Sequence, residues 1–244
     1  STVPENDVIP ICDTEGQIDR LDALSFLSNM SDNSRWNDIY QKAVARRKGK
    51  DKKDAVEQSP GLLALVIPSR KQGDSPEVKP FVSLPDMGIM ASTRKINDQW
   101  LKVFIQGNKA KAGHTHEDKG SFIIEFAGEV FAGDYGRAPY GDAMTFAAKQ
   151  CQWHNMLIPI VEGERPGPVN PIPVDVKPTG SGDEKQFEAR IDVTPGWNAY
   201  YARNIRNWSS PTPEELLITD EYELVKGKGV EFYWQTMLPV QRKG

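Results

Sequence analysis

The spacing of apolar residues changes character part-way along the chain. Near the start, Ile18, Leu21, Leu24 and Leu27, then Trp36, Ile39, Tyr40 and Val44, recur every three or four positions, the period of an amphipathic helix. A polar SDNS break (31–34) separates the two sets. Ser31, Asp32, Asn33 and Ser34 all suit the N-cap of the second helix, because a short polar side chain can accept from the free N–H groups at a helix start. Two helices this short cannot close a core, so their apolar faces are expected to pack on another body.

From Gly61 onward the pattern is that of strands. LLALVIP, KPFVSL, MGIMAST, WLKVFIQG, GSFIIEFAG, EVFAGDYG, MLIPIV, FEARIDVT, AYYARNI, ELLITDEYEL and VEFYWQTML are short β-branched and aromatic runs set off by Gly, Pro, Asn and Asp. The Pro- and Gly-rich stretch 163–184 reads as a long surface loop or sheet edge. Many short strands without helical patterns between them predict a mainly β fold, an antiparallel β-sandwich preceded by a short helical segment. The division falls at a charged linker (48–58), giving a helical segment over 1–58 and a sandwich over 59–244. The cluster Arg46, Arg47, Lys48, Lys50, Lys52 and Lys53 reads as a solvated helix end, its cations suited to the C-terminal dipole.

Composition narrows the function classes. With 244 residues and 38% hydrophobic content, the chain can bury a substantial core. A net charge of −4 argues against nucleic acid as a partner, since phosphate-binding domains are usually basic. No apolar run approaches the length that spans a bilayer, so no membrane partner is expected. The start, STVPENDVIP, lacks the basic-then-apolar pattern of a signal peptide. It also reads as the product of processing or truncation rather than a natural beginning. Cys12 and Cys151 are too few to define a disulfide framework, and their pairing stays open.

All three histidines fall between residues 114 and 154. His114 and His116 form an H-x-H pair; on a strand, positions i and i+2 share a face, so both can project into one site. Asp118 either shares that face or begins the turn at Lys119-Gly120. Asp134, inside GDYG, can return beside the histidines on a following strand, and His154 opens the next strand. A His₂Asp set suits zinc and also ferrous iron. The same histidines also suit ordinary hydrogen-bonded positions, and spacing alone does not choose. A cupin site is disfavoured, because the positions four and five residues after His116 are Gly120 and Ser121.

GHTHEDKGSF, then GEVFAGDYGR, a tyrosine at 140 and WHN at 153–155 resemble the heparinase II/III-like domain of polysaccharide lyases. Arg203 after AYYA, LLITDEYEL and VEFYWQT agree with it. The similarity covers roughly residues 80–244, and the preceding helices resemble the end of that family's helical toroid. The resemblance implies a structural zinc ion held by His116, Asp134 and His154, pinning three strands. It implies that His114 faces the cleft where sugar is cleaved, with Tyr140 also turned toward substrate. Arg137 is near enough to bind a carboxylate or sulfate, or is simply an exposed hairpin arginine.

The implied chemistry is β-elimination on a uronic-acid-containing polysaccharide, alginate or glycosaminoglycan. The proton beside a carboxylate is weakly acidic, so the enzyme must neutralise that carboxylate and stabilise an enolate-like intermediate. A base removes the proton and an acid protonates the departing oxygen. His114 suits the base or the carboxylate neutraliser, and Tyr140 the donor. The family's principal catalytic tyrosine lies on the toroid, so the chain is expected to be the C-terminal part of a longer periplasmic or secreted lyase, with that toroid as its intramolecular partner. A uronate epimerase of the same fold and a non-catalytic, zinc-stabilised carbohydrate-binding sandwich are the alternatives.

Overall fold

The computed structural model describes residues 24, 27–28, 34–48, 78–136, 138 and 141–241. Contacts divide the chain into two units, the larger built from Lys79–Gly244 and the smaller centred on Glu15–Val78. In the smaller, helix α1 (Ser34–Lys48) carries the second of the expected helical patterns. Its Ile39 and Ala43 are buried with Leu24, and Trp36 and Tyr40 pack against them, which is the 3–4 spacing acting as one face. The linker and LLALVIP lie outside the described residues.

The larger unit is antiparallel throughout. One sheet has the order β1 (Phe81–Leu84), β2 (Ile89–Ile96), β3 (Gln99–Gln106), β4 (Phe122–Phe126), β5 (Glu129–Ala132). A second has β10 (Leu217–Leu224), β9 (Tyr201–Ser210), β8 (Phe187–Asp192) and β7 (Thr179–Gly182), and a third pairs β11 (Val230–Tyr233) with β6 (Met156–Pro159). Two tight hairpins set the register of the first sheet. Asn97-Asp98 joins β2 to β3 at φ +46° and +65°, and Ala127-Gly128 joins β4 to β5 at φ +52° and +83°. Left-handed conformation at both central residues marks a hairpin turn whose twist matches its strands.

Strand alternation closes the core. In β8, Phe187, Ala189 and Ile191 are buried while the residues between them are exposed. They join Met90, Val103, Ile105 and Phe122 of the first sheet, and Tyr201 and Trp208 of β9, in one hydrophobic cluster. Two sheets sharing one interior are the expected sandwich, and each fully buried side chain contributes about 1.5–3 kcal/mol toward holding it.

The Pro- and Gly-rich stretch supplies the sheet edge expected of it, and short helical turns depart from the sequence pattern. TGSG, inside the Pro- and Gly-rich stretch, is edge strand β7. A Cβ at Gly180 would sit 2.1 Å from the carbonyl oxygen of Glu188, so the pairing depends on glycine there. Short helical turns also appear: α2 (Met144–Ala147), a 3₁₀ turn at Cys151–Trp153, and α3 (Thr194–Trp197). Elements of three or four residues are too short to show a period.

Candidate metal centre and histidine loop

The H-x-H pair does not lie on a strand. Residues 107–121 form a loop between β3 and β4, with Lys111 at φ +55° and His114 at φ +56°. The expectation that both histidines share a strand face is therefore corrected: the turn at His114 breaks the period-2 relation. His114 is exposed and His116 is fully buried. The separation implied by family resemblance, one histidine outward and one inward, describes this loop better than strand geometry does.

His116 and Asp118 of this loop and His154 before β6 are all 0% exposed. One ligand atom from each lies within 4.8 Å of the others, and the imidazole centroids are 5.5 Å apart. Asp134 reaches the same place from the end of β5: its Oδ2 is 2.7 Å from Nδ1 of His154, and its Oδ1 accepts the backbone N–H of Gly136. Nε2 of His154 is buried without a hydrogen bond, an arrangement otherwise rare for a buried ring nitrogen. Asp118 accepts from Gln106 Nε2 at 2.6 Å, and its other oxygen lies 3.2 Å from the Lys119 ammonium. Asp118 also serves as the start of a turn, its carbonyl accepting Ser121 N, so the turn reading of that residue holds and the strand-face one does not.

Buried carboxylates and cationic groups interleave in this pocket. Burial opposes ionisation of Asp118, but the charges of Lys119, His154 and His116 outweigh it and hold the carboxyl below its ordinary range. Burial likewise opposes protonation of His154, and the charge and hydrogen bond of Asp134 overcome it and raise its pKa. Two imidazoles with two carboxylates, one carboxylate orienting the far nitrogen of a histidine, form a donor set that fits a zinc ion.

Asn155 binds the ligand-bearing segments together. Its Nδ2 donates to the carbonyls of Phe122 and Gly133, its Oδ1 accepts Gln235 N, and its own N–H donates to Ser121 Oγ. Arg206, paired with Asp220 through two nitrogens, donates from Nη1 to the carbonyls of Gly120 and Asn155. The segments after His116, before Asp134 and after His154 are thus tied to one another and to β9. Gly120 sits at φ +92° with Val193 2.7 Å from where a Cβ would stand, so this turn also depends on glycine.

Of the residues singled out from sequence, His116 and His154 converge with Asp118, Asp134 reaches this group only through Nδ1 of His154, and His114 is exposed on the same loop as His116. Arg137 and Tyr140 lie outside the described residues. Sequence reasoning assigned no role to Gln106, Lys119, Asn155 or Arg206. Only Asn155 carried a signal, as the second residue of H-N; the others are polar residues whose burial becomes apparent only once the sheets are assembled.

Residues 76–242 match the family model described as heparinase II/III-like, C-terminal. Solved structures similar in fold include a heparan sulfate lyase HepC mutant from Pedobacter heparinus, with a TM-score of 0.56 and 11% identity over 91% of this chain and 30% of that one. A heparinase III described as the BT4657 gene product gives a TM-score of 0.56 and 13% identity over 97% of this chain and 32% of that one. The chain thus spans about a third of the length of these structures. No curated protein matches the sequence significantly.

Proposed function

The chain belongs to the heparinase II/III-like C-terminal family, and we propose on that basis that it is the C-terminal domain of a polysaccharide lyase that cleaves a uronic-acid-containing polymer of alginate or glycosaminoglycan type by β-elimination. The observation that carries this reading is the division of the histidines: an exposed His114 in a left-handed turn, two residues before His116 of a buried two-histidine, two-carboxylate cluster. Such an arrangement suits a site in which one imidazole meets substrate while the others are scaffold.

In the proposed reaction His114 takes the proton beside the uronate carboxylate, or neutralises that carboxylate while another base does so. The electron pair forms a ring double bond as the C–O bond to the neighbouring sugar breaks. Tyr140 delivers or positions the proton that the departing oxygen receives, and Arg137 binds an acidic group of the polymer. Zinc, when bound, supplies a structural cross-link rather than an activated water. His116, His154 and Asp134 would hold it, with Asp118 within reach of both histidines. The remaining catalytic groups are assigned to an N-terminal helical toroid, and the enzyme to the periplasm or cell exterior, where such polymers are met. No helix among the described residues is long and apolar enough to cross a membrane.

The test is product analysis with the natural protein that carries this chain, incubated separately with alginate and with glycosaminoglycans. A conjugated, ultraviolet-absorbing sugar end is the expected product, and it disappears in His114→Ala. Turnover without that absorbance would indicate an epimerase. Binding without turnover, unchanged by His114→Ala, would indicate a carbohydrate-binding module.

A further inference from the structure

A histidine in the left-handed region costs on the order of 1–3 kcal/mol and persists only where its surroundings over-determine it. Around His114 the loop is held by a second segment, the strap 160–178 between β6 and β7, which runs along the histidine loop and hydrogen-bonds it at both flanks. On one side, Asn108 and Val176 exchange backbone bonds of 2.8 and 2.9 Å, Ala110 N donates to Asp175 Oδ1, and Lys111 N donates to the Ile172 carbonyl. Farther along, Arg165 grips the Glu117 carboxylate through both terminal nitrogens at 2.9 and 3.1 Å. Ile172 and Val176 are each 1% exposed in the sandwich core, so the strap is itself fixed where it touches the loop.

Between these flanks one strap side chain meets the loop next to His114. Asn170 Nδ2 donates to the Thr115 carbonyl at 2.9 Å, and its Oδ1 accepts from Thr115 Oγ1 at 2.6 Å and from Lys119 Nζ at 3.3 Å. Lys119, 2% exposed, also donates to the His116 carbonyl. Asn170 therefore fixes the residue between the two histidines by both its backbone and its side chain, and shares a cation with the segment that carries His116.

We propose that Asn170 is a positioning residue for His114, holding the left-handed turn so that the imidazole is presented in one orientation. The inference rests on the reading that His114 meets substrate at the cleavage site. Its chemistry is preorganisation: a reacting group displaced by about 1 Å can lose on the order of a hundredfold in rate while substrate affinity barely changes. Asn170 hydrogen-bonds the loop at Thr115 and Lys119, so its effect on His114 is exerted through Thr115.

The experiment compares Asn170→Ala, Asn170→Asp and Thr115→Ser with His114→Ala. Turnover is measured in the natural protein, and imidazole NMR signals in this chain, where three histidines give a readily assigned spectrum. Asn170→Asp preserves shape and acceptors but removes the N–H that meets the Thr115 carbonyl, so it tests the proposal even if the alanine variant folds poorly. Expected for both Asn170 variants is a kcat lowered about ten- to a hundredfold, KM within about threefold, and a shifted or broadened His114 signal with His154 unmoved. Thr115→Ser, which keeps the hydroxyl, retains wild-type kcat. If His114→Ala abolishes turnover while both Asn170 variants keep wild-type kcat and an unmoved His114 signal, the positioning role is overturned and the lyase reading stands. If His114→Ala itself retains full turnover, the lyase reading of His114 falls and takes the catalytic meaning of Asn170 with it.

Discussion

Asn155→Asp replaces one amide with a carboxyl of nearly the same shape, and it should be more damaging than Asn155→Ala. The orientation of the wild-type amide is unambiguous, since Gln235 N can only donate and the Phe122 and Gly133 carbonyls can only accept. Truncation to alanine leaves those three groups without their partner at a position that is 0% exposed. A buried group left unsatisfied costs about 1–3 kcal/mol. With some relief from water entering the vacated volume, the sum is roughly 3–6 kcal/mol, against a typical total stability of about 5–15 kcal/mol. That corresponds to a fall in Tm on the order of 10–20 °C for a domain of this size. Aspartate does worse, because it sets an oxygen against two carbonyl oxygens and buries a charge beside an Arg206 guanidinium already committed to Asp220. Thermal and urea unfolding of the three proteins in parallel decides the point. An aspartate variant within about 1 kcal/mol of wild type would refute the assigned polarity of this hub, since that loss is the size of one ordinary hydrogen bond.

Chelation should lower Tm, and zinc at a hundred times its Kd should restore about 2.7 kcal/mol; His116→Ala and His154→Ala should abolish that response in a calorimetric titration. Comparing Asp134→Asn with Asp118→Asn in the same titration shows which carboxylate binds the metal and which orients a histidine, the orienting one costing about 10- to 100-fold in affinity. Arg94 is 1% exposed and none of its guanidinium nitrogens makes a hydrogen bond, its nearest aromatic contact being Phe187 at 5.8 Å. Arg94→Met should therefore be neutral or stabilising, by up to about 4 kcal/mol in urea unfolding, and a clear loss of stability would count against that. The backbone N–H groups of Gln186 and Lys185 hold the Asp183 carboxyl below its ordinary range. Its contribution is present above about pH 4 and lost as pH falls through the lowered folded value, so the Tm gap to Asp183→Leu should close in acid.

The strands were legible because a half-buried sheet writes its two faces into alternate residues, as FEARID does in β8. The buried histidines were legible because histidine is rare in this chain and all three are clustered, with Asp134 between them in sequence. The conformation of His114 was not, since nothing in GHTHED distinguishes a strand from a left-handed turn; that choice is made by Asn170, more than fifty residues away. Asp118 suited either a shared face with the histidines or a turn with Lys119, and nothing in the local sequence showed that both residues would be buried charges. Period reports what each element does alone, whereas the site is set by hydrogen bonds between elements far apart in sequence.

Cys151 offers a clock for the strap. Its thiol is fully buried, with Sγ 3.4 Å from the carbonyl of Pro166 on the strap, and burial, followed by the charge of Glu117, pushes its pKa up. A thiol in that condition does not react where it sits. Alkylation read by mass spectrometry at the peptide bearing Cys151 therefore counts only the moments when the packing around it, the strap included, opens. The labelling rate in excess reagent, divided by that of an exposed thiol, gives the fraction of time that packing is open. Substrate or metal that seats the strap should slow the clock, and substitutions at Asn170 should speed it.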